Sequence, residues 1–259
     1  MRYYEPGRKD IPEVGPRAQI PQTTNQIVEC TPSEELTDLK VVIAVDVMQK
    51  FPDLNVVVRE VGGVTVSDTH PRLEQFKEEI FAEVKQKFTL ESLKDEPVFR
   101  AYRDFFWKIG IDPTKIRPAA EALIRRVLGG RSIPRINTAV DAYNLASMST
   151  CIAIAAFDID KLDGEITMRF ANNGESFLGI GMDKPVTLAG GEIIMTDRSR
   201  LIAIYPYRDA DYSKITIETR DLMLVSCGVP SIPIDRLNET ADKASDFVTR
   251  FCGNLQQHL

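Results

Sequence analysis

Histidine is nearly absent from this chain: two in 259 residues, His70 and His258. A Ser/His/Asp triad or a multi-histidine metal site needs imidazole nitrogens gathered at one point, so neither is expected here, and no cofactor or metal signature takes their place. The four cysteines, Cys30, Cys151, Cys227 and Cys252, are scattered without a C-x-x-C pair. Such spacing predicts reduced thiols in a cytoplasmic protein, not a disulfide framework or a zinc site. No run reaches the roughly 18 apolar residues that a membrane-spanning helix needs. The opening MRYYEPGRKDIPEVG lacks the apolar core of a signal peptide.

Cations are also in the minority, with 32 Lys and Arg against 38 Asp and Glu, a formal net charge of −6. That balance argues against broad coating of nucleic acid but permits a local patch. One such window exists. Lys115, Arg117, Arg125, Arg126, Arg131 and Arg135 face a single acid, Glu121. A solvated helix face is the plain reading; contacts to RNA phosphates are the functional one.

Residues 1–37 carry five prolines (Pro6, Pro12, Pro16, Pro21 and Pro32) and are expected to form an extended arm. Strands are predicted at LKVVIAV and LNVVVREVGGVTV, the second interrupted at Gly62-Gly63. Helices follow at Pro71 to Phe88 and at Pro97 to Ile109, the second holding Phe99, Tyr102, Phe105, Phe106 and Trp107, a spacing typical of core packing. From Pro118 a third helix turns Ala119, Ala120, Leu123, Ile124 and Val127 one way and Glu121 and Arg125 the other. Later come EITMRFA, GEIIMTD, RLIAIYPY and DLMLVSCGV as short strands, then a helix from Pro233 to the end. Helices and strands in blocks predict an α+β fold of three layers, with mixed sheets covered by helices. The expected units are the arm 1–37, a domain 38–232 and a C-terminal helix within 233–259.

The stretch RINTAVDAYNLASMSTCIAIAAFDIDKLDG organises the rest. As a helix from Asn137, at about 100° per residue, it puts Asn137, Asp141 and Asn144 within about 60° of one another. A polar line leading into the apolar run Ile152 to Phe157 is either one wall of a ligand pocket or a buried hydrogen-bond network. The acids that follow, Asp158, Asp160 and Asp163, do not make a calcium loop: the third is one residue late, and Arg169 stands where the bidentate glutamate belongs. A turn is expected there. Gly179-x-Gly181 lacks the rest of a dinucleotide fingerprint, and Gly190-Gly191 suggests a hairpin turn. Arg208, Asp209, Asp211, Tyr212 and Lys214 read as a solvated polar loop.

Several pieces recur in one order: FPDLNVVV, RDFFWKIGIDPTKIRPAAEALIRRVLGG, PRINTAVDAYNLAS, AFDIDKL, EITMRFANNGESF and KITIETRDLMLV. From about residue 48 to 230 they resemble the B3/B4 domain of the phenylalanyl-tRNA synthetase β subunit, and more closely the stand-alone proteins built from that domain. The resemblance implies an editing module that hydrolyses tyrosine misattached to the phenylalanine tRNA. It puts Ala155 at the family's pocket histidine and Val225 at its pocket glutamate, while Arg135, Asn137, Asp141, Asn144, Phe157, Asp158 and Arg169 are retained. The implied partner is tRNA or aminoacyl-tRNA, with deacylation of mischarged tRNA in trans as the associated activity. The expected ligand pocket is Asn137, Asp141, Asn144, Asp158 and Arg169. The expected RNA contacts are Lys115, Arg117, Arg125, Arg126, Arg131 and Arg135, and no catalytic group is named. The alternative is a non-catalytic module binding an amino acid or another small molecule.

Overall fold

A computed structural model describes residues 39–253; the expected arm 1–37 and the last residues of the chain lie outside them. Mixed helices and strands confirm the α+β class. Three sheets form. The largest has the order β1 (Val41–Ile43), β4 (Ile166–Phe170), β7 (Ile193–Thr196), β8 (Leu201–Ile204) and β9 (Arg208–Asp209), parallel between β1 and β4 and antiparallel elsewhere. The second places β10 (Leu222–Cys227) between β2 (Val56–Val61) and β3 (Ala153–Asp158), all antiparallel. The third pairs β5 (Ser176–Phe177) with β6 (Val186–Thr187).

The helices follow their apolar periodicity. Prolines open α2 (Pro71–Lys87) and α3 (Pro97–Lys108), where the missing N–H has no helical acceptor to lose. The helices α4 (Ala119–Leu128) and α5 (Thr138–Thr150) pack on each other, on α2 and on β3, and α6 (Ile234–Cys252) lies on β2 and β10. Leu237, Ala241, Ala244, Val248 and Phe251 of α6 belong to the main core. That core holds α3's Phe99, Tyr102, Phe105 and Phe106, and the Tyr102 hydroxyl donates to the Cys227 carbonyl. A smaller apolar cluster, Ala171, Phe177, Leu188, Ile194, Ile204 and Ala210, sits apart at the β5–β6 side.

Four expectations need correction. The run LKVVIAV is a strand only through Ile43; Val45–Lys50 wind into a short helix, α1, with Val47 buried. Trp107 does not join its aromatic neighbours in the core and is 58% exposed. Glu121 does not face solvent: it is 1% exposed, held by Arg103 and by Arg125 one turn on. Gly190-Gly191 turns the chain between strands of different sheets, so it closes no hairpin. Both glycines have φ near +90°, and a Cβ on Gly190 would press on the Asn173 backbone.

Candidate functional site

The polar line on α5 is real, and most of it is bonded internally. Asn137 caps the helix: its side-chain oxygen accepts from the Val140 N–H at 2.9 Å, and its amide donates to the Ile215 carbonyl at 3.2 Å. Asp141 is buried against Lys77 of α2, 2.6 Å away, and its other oxygen accepts from the Ile136 N–H. Lys77 also reaches Glu74, which in turn holds Arg135. The Glu74 carboxyl lies below its usual range: its partial burial works the other way, and Lys77 and Arg135 outweigh it. Asn144 is half-buried one turn further along.

Asp158 ends β3 and caps the short 3₁₀ turn Ile159–Lys161, accepting from the Asp160 N–H, while Thr219 donates its hydroxyl to the second oxygen at 2.8 Å. The acid-rich segment is therefore a turn, as the spacing predicts. Arg169 on β4 forks onto Glu175 at 2.6 and 2.9 Å. Of the five expected pocket residues, Arg169 alone lines the cleft described below; Asn137 serves the helix cap, Asp141 the α2 contact and Asp158 the turn.

The register of β3 and β10 sets Ala155 directly opposite Val225, with Val58 of β2 next in the same row. The two positions that the family resemblance assigns to a histidine and a glutamate are thus cross-strand neighbours, and both are apolar here. Next to them lies an acid that the sequence reading treated as solvated. Asp209 on the edge strand β9 meets β3, the edge of the other sheet, and its carboxylate accepts a hydrogen bond from the Ala156 N–H. Burial nevertheless pushes its carboxyl up to about 7. It also raises the Cys227 thiol, after burial itself. Tyr143 of α5 feels burial first, then Asp209 and Asp141, and its phenol is held well above the usual range. Asp158 and Ser213 close the same seam through a backbone hydrogen bond at 2.9 Å.

The basic window divides on folding. Arg125 is committed to buried Glu121, Arg126 donates to the Ser132 carbonyl, and Arg135 pairs with Glu74. Lys115 stands 3.6 Å from Asp112. Arg117 and Arg131, on either side of α4, are exposed, and no carboxylate among the described residues comes within ion-pair distance of them.

A cleft of about 610 Å³ opens between the end of β4, β5, the β7–β8 turn and the segment after β9. Asp197 builds its floor. One oxygen accepts from the N–H groups of Ser199 and Arg200 at 2.8 and 2.6 Å; the other accepts from the Asp163 N–H and the Tyr212 hydroxyl, both at 3.2 Å. Arg200 then lays its guanidinium over the Tyr212 ring, 4.1 Å from its centre. The residues lining the cleft come from four separate segments, and only fold-level proximity brings them together.

A family model described as the B3/4 domain matches residues 101–258. The match takes in α6, which the sequence resemblance left out. Over 128 residues the chain is 32% identical to the phenylalanine–tRNA ligase β subunit of Wolbachia sp. subsp. Brugia malayi, covering 49% of this chain and 16% of that protein. Over 117 residues it is 33% identical to the Colwellia psychrerythraea β subunit, covering 45% and 14%. The alignments thus span about a sixth of these relatives' length. An N-terminal fragment of the phenylalanyl-tRNA synthetase β subunit from Pyrococcus horikoshii superposes with a TM-score of 0.46 at 11% identity, covering 87% of this chain and 52% of that one.

Proposed function

This chain belongs to the B3/4 domain family, and on that premise we propose that it binds tRNA or aminoacyl-tRNA. The supporting observation is the pair of exposed guanidiniums that flank α4, Arg117 and Arg131, which have no carboxylate partner among the described residues, with Lys115 and Arg135 exposed along the same segment. Fixed cations of this kind meet phosphates and displace their counterions. Binding measured by filter retention across a salt series is expected to weaken steeply as salt rises. Arg117→Ala with Arg131→Ala should flatten the log–log slope by about one to two. Unchanged slopes, or no tRNA binding at low salt, would sink the reading.

A second step, deacylation of mischarged tRNA in trans, is favoured by one feature, the Asp209 carboxyl near 7 beside the apolar row of Ala155 and Val225. A carboxyl poised near the working pH is the kind that can take a proton from an attacking water. In a panel of mischarged tRNAs, Asp209→Asn should remove whatever hydrolysis the wild-type protein performs while leaving tRNA affinity in place. Hydrolysis that persists in the variant rules Asp209 out of the reaction.

A further inference from the structure

The cleft at the β7–β8 turn has an uneven charge economy. Three acids border it, and each is engaged: Glu175 by the Arg169 fork, Asp197 by the turn N–H groups and Tyr212, and Asp211 by Lys214 at 2.8 Å. Of its three arginines, Arg169 is neutralised. Arg198 is exposed; its guanidinium lies against Gly164 and stands a long 3.6 Å from Asp163. Arg200 is exposed, and no carboxylate among the described residues comes within ion-pair distance of its guanidinium. Guanidinium N–H groups, those of Arg200 above all, are what remain available to a ligand.

The shape adds a second requirement. The Arg200 guanidinium sits over the Tyr212 ring, and that ring is held from below because its hydroxyl is tied to buried Asp197. Burial comes first and the Asp197 charge second in holding that phenol well above its usual range, so the hydroxyl stays a donor. A guanidinium plane so supported offers a stacking surface to a flat ring and N–H edges to a phosphate. Leu178, 42% exposed, supplies an apolar edge. A volume of about 610 Å³ suits a ligand of mononucleotide size.

We infer that this cleft binds a nucleoside phosphate, with the base against the Arg200–Tyr212 pair and the phosphate on Arg198 and the edge of Arg200. The inference does not depend on Arg117 and Arg131, whose segment contributes nothing to the cleft. The shared chemistry has two sources, a free mononucleotide or an unpaired nucleotide of an RNA strand.

Calorimetric titration of the full chain at low salt, with AMP and with a 5′-phosphorylated RNA trinucleotide as probes, tests it. We expect saturable binding that weakens at least about tenfold in Arg200→Ala and also weakens in Arg200→Lys, which keeps the charge but loses the plane. Tighter binding of AMP assigns the site to the free nucleotide, and tighter binding of the trinucleotide assigns it to RNA. Adenosine binding as well as AMP would overturn the inference, because the cations would then recognise nothing. So would absence of binding, or affinity indifferent to Arg200→Ala. Loss of the salt-dependent tRNA affinity alone would fault the α4 reading and leave this one standing.

Discussion

Between α2 and α5, Lys77 and Asp141 hold each other at 2.6 Å with almost no solvent access, and the remaining oxygen of Asp141 is taken by a backbone N–H. In the cleft, Arg200 rests on Tyr212 without a carboxylate, and Arg198 lies largely in solvent. Both places are polar and both are built from side chains distant in sequence. In the first, every strong group answers another within the protein, as burial requires. In the second, the acids are satisfied and Arg200 is left with no carboxylate among the described residues. Density of polar residues therefore does not mark a site in this fold; the imbalance of partners does.

That contrast can be broken most forcefully at Asp141. Asp141→Ala leaves the buried Lys77 ammonium to Glu74 alone and takes the acceptor from the Ile136 N–H, and a loss of about 3 kcal/mol in unfolding free energy is expected. Chemical denaturation reads it directly, and a loss under about 1 kcal/mol would mean that the pair is less buried than its geometry indicates. Asp209 tests the middle ground, a group that is only partly satisfied. Its carboxyl near 7 lies above the usual 3.8, so the native state binds the extra proton between about pH 4 and 7, and stability falls as pH rises through that window. Asp209→Asn should be about 4 kcal/mol more stable than wild type at pH 8 and about equal to it at pH 4. A pH-independent difference would contradict the assignment. The smallest effect belongs to the cleft: Arg200→Ala should change stability by less than about 0.5 kcal/mol, because a solvated cation leaves no orphan behind. Thermal melts of this variant separate a ligand site from a structural one.

Much of the fold can be read from the sequence where periodicity is long. The helices over Pro71–Lys87 and Pro97–Lys108 announce themselves through apolar spacing and an opening proline. Short elements are less legible. Val45–Lys50 continues an apolar strand without a break in composition, so nothing local marks its turn into helix. Glu121 shows a deeper limit. Its helical position points it outward by pattern, but Arg103 arrives from the preceding helix and makes burial tolerable. The polar line of Asn137 and Asp141 is visible in sequence because helix geometry is local, whereas Lys77, which decides what the line does, is 64 residues away. Asp209 has the local look of a loop residue, because no one-dimensional pattern shows that its strand comes up against β3. The cleft escaped notice for the same reason.

The row Val58–Val225–Ala155 carries a consequence for how such domains diversify. Because Ala155 and Val225 face each other across one ladder, a histidine introduced at the first would look onto valine, and a glutamate at the second onto alanine. Either change alone buries a polar group without its partner, at a cost of about 1–3 kcal/mol. Only the two together can answer one another, so their effects on stability are non-additive. Passage between an apolar and a polar version of this row is thus an epistatic step, with a valley between two viable sequences. A lineage on the apolar side is held there by the ladder itself, and a new polar function is easier to reach elsewhere on the fold.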